Sequence, residues 1–306
     1  MTLLDRAVAT VLPVVPRSLV RRVSAPYIAG PTLGDARQTV QGLNAVGKRA
    51  TVDVLGEEIH TEAEARAIAT AYSDVLSAIA ADGLDANISV KLTGLGLKLD
   101  IDLCRSLLED LVRASERQGA RVRIDMEDAS CVDDTLALYR GLRGDGLDNV
   151  GIVLQSCLKR TLTDIADLRD LRPGVRLCKG IYVEPRTIAF QDFDVVRRSY
   201  LACLDVLLGG GSRVAIAMHD EHLLTESLSR VVALPEDAYE FQMLLGVRED
   251  RASELVAAGH PVRVYVPFGQ QWYEYSLRRL QENPRMAGIV AKATVGRVVG
   301  RVTPGG

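Results

Sequence analysis

The chain has 306 residues, 47% of them hydrophobic and 25% charged, and a formal net charge of -3. That length suits one large domain, the apolar content supplies a sizeable core, and the charged fraction argues against a disordered chain. The slightly acidic balance leaves no basic footprint, so nucleic acid is not expected as a partner.

Residues 1–50 carry Pro13, Pro16, Pro26 and Pro31, followed by an amphipathic stretch, Leu33–Val46. They read as a helical and loop extension packed on the body that follows, with the whole of 1–306 forming a single domain. The opening Met1–Arg6 lacks the charged, apolar and small-residue succession of a signal peptide. No apolar run reaches the roughly 18 residues needed to span a bilayer.

From residue 51 onward one pattern recurs: a short β-rich run, a polar or glycine-bearing corner, then an amphipathic helix. The predicted strands are Thr51–Leu55, Asn87–Leu92, Arg121–Met126, Gly151–Gln155, Val175–Lys179, Arg213–Met218, Tyr239–Met243 and Val262–Pro267. Several are dense in Val, Ile and Leu without strict alternation, as strands buried on both faces are. The predicted helices are Thr61–Ala81, Asp100–Gln118, Val132–Arg143, Thr161–Leu171, Asp192–Leu208, Glu221–Val232, Glu249–Ala258 and Gln270–Gln281. Thr61 with Glu64 forms a capping box, Gly119 marks one helix end, Pro173 marks another, and Gly209–Gly211 marks a third. Eight strand–helix repeats predict a (β/α)8 TIM-like barrel with extra N-terminal helices, a fold of the α/β class. An open doubly wound sheet is the competitor, but no GxGxxG follows the first strand. The cysteines, Cys104, Cys131, Cys157, Cys178 and Cys203, are scattered without a CxxC pair. They read as reduced, mostly buried thiols of a cytoplasmic protein.

Barrel chemistry sits where the strands end. Those ends carry Asp53, Lys91, Asp125, Gln155, Arg176, Lys179, His219, Glu240, Gln242 and Tyr265. Burying so many charges without partners would cost several kcal/mol each, which a ligand bearing anionic and hydrogen-bonding groups would offset. In the helix after the eighth strand, Tyr275, Arg278, Arg279 and Glu282 share one stripe, while Tyr273, Leu277 and Leu280 form an apolar one. Adjacent arginines suit a carboxylate or phosphate, although a solvated Arg-Arg-Glu face reads equally well from this helix alone. His219 and His222 are three apart but lack a third ligand of matching spacing, so no metal site is expected.

These residues resemble the proline dehydrogenase family in its short, single-function bacterial form. Tyr275–Asn283 matches a Y-x-x-R-R-x-x-E-N signature, Arg176–Tyr182 matches R-L-x-K-G-x-Y, and Glu240–Gly246 matches E-F-Q-M-L-x-G. Val122–Asp128 and the Lys91-bearing strand Asn87–Gly94 resemble two further family segments. The resemblance implies FAD bound at the strand ends without a Rossmann domain. It implies L-proline oxidised to Δ1-pyrroline-5-carboxylate by hydride transfer from proline C5 to flavin N5, the first step of proline catabolism. Electrons then pass to a membrane quinone. Arg278, Arg279 and Lys91 would hold the proline carboxylate, with Tyr265, Tyr275 and Leu177 around its ring. Asp125, Gln155, Arg176, Lys179 and Gly180 would line the flavin. His219 and Glu282 would support its adenosine and ribityl portions, while Glu57 and Tyr182 would orient the groups in contact. Peripheral membrane contact through Val11–Val15 or the C-terminal helical region would follow from a quinone acceptor. The oligomeric state is left open. Three features depart from the family pattern: Met218 and Asp220 flank His219 where Thr and Asn are usual, and Ile181 replaces a small residue. Two other readings stand beside this one, a lyase using Lys91 or Lys179 as a Schiff-base amine and a non-catalytic binding barrel.

Overall fold

The computed structural model describes residues 20, 24–56, 59–273, 275 and 276. Eight parallel strands close into one barrel in sequence order: β1 Arg49–Val54, β2 Ala86–Val90, β3 Val122–Ile124, β4 Val150–Gln155, β5 Val175–Cys178, β6 Val214–Ala217, β7 Tyr239–Leu244 and β8 Val262–Phe268. The ring is completed where β1 pairs with β8, Arg49 opposite Arg263 and Val54 opposite Phe268. A helix, α1 Leu33–Ala45, precedes the barrel. It is followed by α2 Glu62–Asp82, α3 Ile101–Arg117, α4 Val132–Gly144, α5 Thr161–Asp167, α6 Phe193–Gly209, α7 Glu221–Val231 and α8 Glu249–Ala257. After β8, Trp272, Tyr273, Tyr275 and Ser276 are helical. No helix among the described residues is long and apolar enough to cross a membrane.

Five of these eight helices start where a short polar side chain caps them. Thr32 with Asp35 and Thr61 with Glu64 form reciprocal capping boxes, and Asp100, Asp192 and Asp220 accept first-turn N–H groups. The helix expected over Thr161–Leu171 divides in two: α5 stops at Asp167 and a 3-10 turn, Arg169–Leu171, follows. Pro173 lies just beyond, and a residue before proline is pushed out of helical geometry.

The strands alternate more strictly than the composition suggested. One face carries Val52, Val54, Ile88, Val90, Ile124, Ile152, Leu154, Leu177, Ile216 and Val266, all under 10% exposed and packed in the main core against the helices. Each such side chain contributes about 1.5–3 kcal/mol relative to exposure. The other face points into the barrel and is polar, bearing Asp53, Ser89, Arg123, Asp125, Gln155, Arg176, Glu240, Gln242, Arg263 and Tyr265. The stability of the fold therefore lies in the shell between sheet and helices. Tyr72 of α2 links the two layers: its hydroxyl donates to the Ser89 carbonyl at 2.7 Å and accepts the Val54 N–H at 3.3 Å. The five cysteines are free, four of them buried and Cys178 half-buried.

The N-terminal segment is keyed into the barrel. The Ala29 N–H donates to the Pro267 carbonyl, and the Gly269 N–H donates to the Gly30 carbonyl. Ile28 packs with Leu55, Tyr275 and Trp272. Pro26 lies directly over Gly246, where an added Cβ would fall 2.2 Å from the Pro26 carbonyl oxygen and where φ is +71°. Gly246→Ala should therefore lower unfolding free energy by about 1–3 kcal/mol through strain and displacement of residues 24–30. The check is the urea midpoint, which should fall with the slope of the transition unchanged.

Candidate active site

The barrel interior holds one connected polar network. Arg176, near the middle of β5, reaches across the barrel. Its Nη1 meets Asp125 Oδ1 at 2.5 Å and Ser89 Oγ at 3.1 Å, while its Nε donates to Gln242 Oε1 at 2.5 Å. Asp125 also accepts from the Ser89 hydroxyl at 2.7 Å and, through Oδ2, from the Tyr265 hydroxyl at 2.8 Å. The guanidinium lies 5.2 Å from the centroid of the Tyr265 ring. Burial, then the neighbouring Asp125 and Asp53 carboxylates, raise the Tyr265 pKa well above its usual value, so the phenol stays a donor.

Lys91 follows β2 and bridges toward the mouth. Its ammonium lies 3.0 Å from both Asp53 oxygens and 3.4 Å from the Tyr265 hydroxyl. Lys179, after β5, pairs with Asp220 at 3.3 Å and lies 4.8 Å over the Phe193 ring. Burial alone would raise the Asp220 pKa, but Arg197 hydrogen bonds and the Lys179 charge hold it at about 2. Both lysines thus serve as ion-pair cations, whereas the lyase reading needs a free amine.

Gln155 ends β4 and donates to the Glu127 carbonyl at 2.8 Å and the Met126 carbonyl at 3.3 Å, tying together the loops after β3 and β4. Gly180 sits close above it: an added Cβ would lie 2.3 Å from Cys157 Sγ and 2.9 Å from Gln155 Oε1. His219 Nε2 accepts the Leu244 N–H at 3.0 Å, anchoring the loop after β6 to the end of β7. Tyr182 is half-buried in the loop after β5. Tyr275, 7% exposed, packs on Leu55 and Trp272 beside the same mouth.

Lys91, Asp125, Gln155, Arg176, Lys179, Gly180, His219, Tyr265 and Tyr275 thus lie inside the barrel or around its C-terminal end. Leu177 does not join them. Arg176 points inward, so the next residue points to the opposite face. Leu177 is fully buried in the shell, with its carbonyl accepting the Tyr200 hydroxyl at 3.1 Å. Glu240 also departs from the expected rim. As the second residue of β7 it faces the N-terminal end, 3.0 Å from Arg263 Nε. Ile181 is 46% exposed, so its bulk meets no packing limit. Glu57, Arg278, Arg279 and Glu282 lie outside the described residues. The sequence reading named Asp53 and Gln242 at the strand ends without giving them a role, and left out Ser89. For Ser89 the signal was parity: it shares the inward face of its strand with Lys91. Tyr72 carried no such signal, because it enters from a helix.

Lys91, 13% exposed in its side chain, lies at this mouth. One buried guanidinium nitrogen, Arg176 Nη2, has no hydrogen-bond partner among the described residues. Such an atom suits an electron-rich acceptor of a bound planar group, and the cations suit a carboxylate.

Comparison with known proteins bears on what that group is. Residues 36–292 match the sequence profile of the family described as proline dehydrogenase. The chain is 37% identical to proline dehydrogenase 1 of Bacillus subtilis (strain 168) over 268 residues, covering 87% of this chain and 88% of that protein. It is 38% identical to a proline dehydrogenase of Deinococcus radiodurans over 272 residues, with the same coverage. It matches the bifunctional protein PutA of Escherichia coli (strain K12) at 27% identity, over 86% of this chain and 23% of that much longer one. The structure superposes on proline utilization A of Bdellovibrio bacteriovorus inactivated by N-propargylglycine with a TM-score of 0.79. There the identity is 24%, over 86% of this chain and 32% of that one, and the likeness concerns the fold.

The network's lower end makes a pH prediction. Burial would raise the Glu240 pKa, but Arg263 charge and hydrogen bonds, with Gln242, bring it down to about 2 from an ordinary 4.5. A carboxyl with a depressed folded-state pKa contributes stability that is fully present above about pH 4.5 and lost as pH falls toward 2. Between about pH 6 and about pH 3 the wild type should lose roughly 2 kcal/mol of unfolding free energy that Glu240→Gln does not lose. Parallel pH curves for the two proteins would show that Glu240 is not held in this way.

Proposed function

The chain belongs to the proline dehydrogenase family, and from that premise we propose which residues of this barrel carry the reaction. The protein is an oxidoreductase that oxidises proline in proline catabolism. In our reading the substrate is L-proline, the product Δ1-pyrroline-5-carboxylate, the cofactor FAD and the final acceptor a quinone. Residues 1–306 act as one domain, cytoplasmic or peripheral at a membrane surface where the quinone resides.

The observation that carries the reading is the Arg176 crosspiece, a buried cation held by Asp125, Ser89 and Gln242 that still has Nη2 to offer. That nitrogen fits the electron-rich edge of a flavin, and the close approach of Gly180 to Gln155 and Cys157 keeps the rim clear of a side chain. Asp125, Gln155, Arg176, Lys179 and Gly180 would hold the flavin ring, with His219 and Glu282 supporting the rest of FAD. Bound FAD supplies the acceptor for the hydride leaving proline C5. The protein's part is placement and field. Positive charge on Arg176 favours the electron-richer reduced cofactor. Lys91, already oriented by Asp53, would join Arg278 and Arg279 on the substrate carboxylate, with Glu57 and Tyr182 orienting these groups. Tyr265 and Tyr275 bring aromatic surface against the pyrrolidine ring. This excludes water and holds the ring in one pose.

Two measurements test this. The visible spectrum of the purified protein should show oxidised-flavin bands that bleach when proline is added without oxygen. Bands that proline leaves unchanged would remove the substrate assignment, and a colourless protein that takes up no flavin would remove the cofactor. Arg278→Met and Arg279→Met should each raise the proline KM by about ten- to a hundredfold while FAD stays bound, the loss expected for a charge-assisted contact to a carboxylate. Wild-type KM in both variants would remove those arginines from the substrate site.

A further inference from the structure

We propose that the N-terminal mouth of the barrel, at the end opposite the proline site, binds a small oxyanion of the size and charge of phosphate. Five arginines converge there. Arg49 opens β1, Arg121 and Arg123 bracket the start of β3, Arg213 precedes β6, and Arg263 is the second residue of β8. All five have the inward strand parity.

The carboxylates at this end do not balance them. Glu240 is taken up by Arg263 at 3.0 Å, with Arg213 at 3.7 Å and Arg49 at 3.9 Å. Asp85, more than half exposed, lies 3.4 Å from Arg49 and 3.9 Å from Arg263. Glu236 and Asp237 lie exposed in the connection before β7 and pair with none of the five. Arg121 and Arg123 have no carboxylate partner among the described residues. Arg123 instead donates through Nη1 to the carbonyls of Ile152 at 3.0 Å and Gly174 at 2.5 Å.

A cavity opens among these groups, lined by Arg121, Arg123 and Arg213 together with Thr51, Asn87, Gln242 and the Glu240 carboxylate that Arg263 holds. Gly151 lines it too. A Cβ there would fall 2.5 Å from Arg123 Nη1, so the guanidinium occupies the space a side chain would take. Thr51, 2% exposed, and Asn87 add a hydroxyl and an amide to the lining. The cavity therefore offers three guanidinium groups, a hydroxyl and an amide donor beside one carboxylate, Glu240, whose charge Arg263 already meets.

Crowding of like charge is felt by the arginines themselves. Burial, then the Arg176 cation, lower the Arg123 pKa to about 9. Burial lowers that of Arg213, with Arg121, Arg263 and Arg49 adding to the effect and Glu240 opposing it. A tetrahedral oxyanion would offset this repulsion, and guanidinium forks match its oxygens in pairs. A monovalent halide would meet the charge but leave most of these directional donors unused.

The test is equilibrium dialysis of radiolabelled orthophosphate against the full chain saturated with FAD, at an ionic strength fixed with chloride. Saturating FAD keeps phosphate out of any flavin diphosphate site at the other mouth. The expected result is saturable binding of one phosphate per chain. Arg121→Gln and Arg123→Gln should each weaken it about tenfold or more, a charge-assisted contact being worth about 1.5–3 kcal/mol. Arg169→Gln, an exposed arginine that does not line the cavity, should leave the affinity unchanged. Arg121 is exposed and unpaired, so its replacement threatens folding least. The proposal is overturned if the FAD-saturated chain shows no saturable phosphate binding, if Arg169→Gln weakens binding as much as the cavity variants do, or if the Arg121→Gln/Arg123→Gln double variant binds like wild type.

Discussion

The ion pair between Arg176 and Asp125 spans the inside of the barrel, and the rest of the interior is organised around it. Both side chains are about nine-tenths buried. Removing such charges from water costs several kcal/mol per ion, so the pair persists only because further groups complete it. Ser89, Tyr265 and Gln242 do so, and Glu240 continues the chain from Gln242 to Arg263. The result is a run of donors and acceptors from one barrel mouth to the other. Replacing any one link leaves a partner buried without a mate. That constrains all the strands that contribute.

This arrangement fixes where chemistry can occur. A barrel filled with Val and Leu would be equally closed at both ends; here the filling is polar and its two ends differ. At the C-terminal mouth positive and negative groups alternate, so Lys91, Arg176 and Lys179 are oriented by Asp53, Asp125 and Asp220. Orientation before binding lowers the ordering cost of a substrate contact. At the N-terminal mouth arginines outnumber carboxylates, which leaves capacity for an anion. The same network therefore supports a preorganised pocket above and an electropositive one below.

Much of this was legible in the sequence, and the exceptions share a cause. Eight strand–helix repeats and their caps are local signals, and they placed every strand to within a few residues. The Arg176–Tyr182 and Glu240–Gly246 segments marked two of the strands that line the interior. What failed was the face of individual residues. Several strands were read as dense in Val, Ile and Leu without strict alternation, although in the predicted strand Val262–Pro267 Arg263 and Tyr265 already alternate with valines. Leu177 was placed at the substrate as an implication of the family resemblance, but it adjoins the inward-facing Arg176, and adjacency along a strand means opposite faces. Glu240 was set at the catalytic rim because the shear of a closed barrel, which decides how far up each strand a residue sits, is not written in any one segment. Tyr72 reaches the Ser89 carbonyl from a helix, a contact no periodicity reports.

Separation of a polar interior from an apolar shell also explains how the chain can carry so much buried charge. The large fully buried side chains, among them Tyr72, Tyr139, Tyr200, Leu76 and Leu108, lie on helices that cover the sheet. They supply the area-proportional stabilisation that the interior lacks. The interior is then free to be chosen for ligand contacts rather than for packing. A substitution in the shell should alter stability and leave the pocket's charges in place, whereas one on the axis should alter both, because its partners lose their mates. Arg123 illustrates the second kind. It sits on the shortest strand, hydrogen-bonds through its side chain only to backbone carbonyls among the described residues, and lies below Arg176, whose charge it feels. A charge change at Arg176 is therefore felt at Arg123 through the field between them.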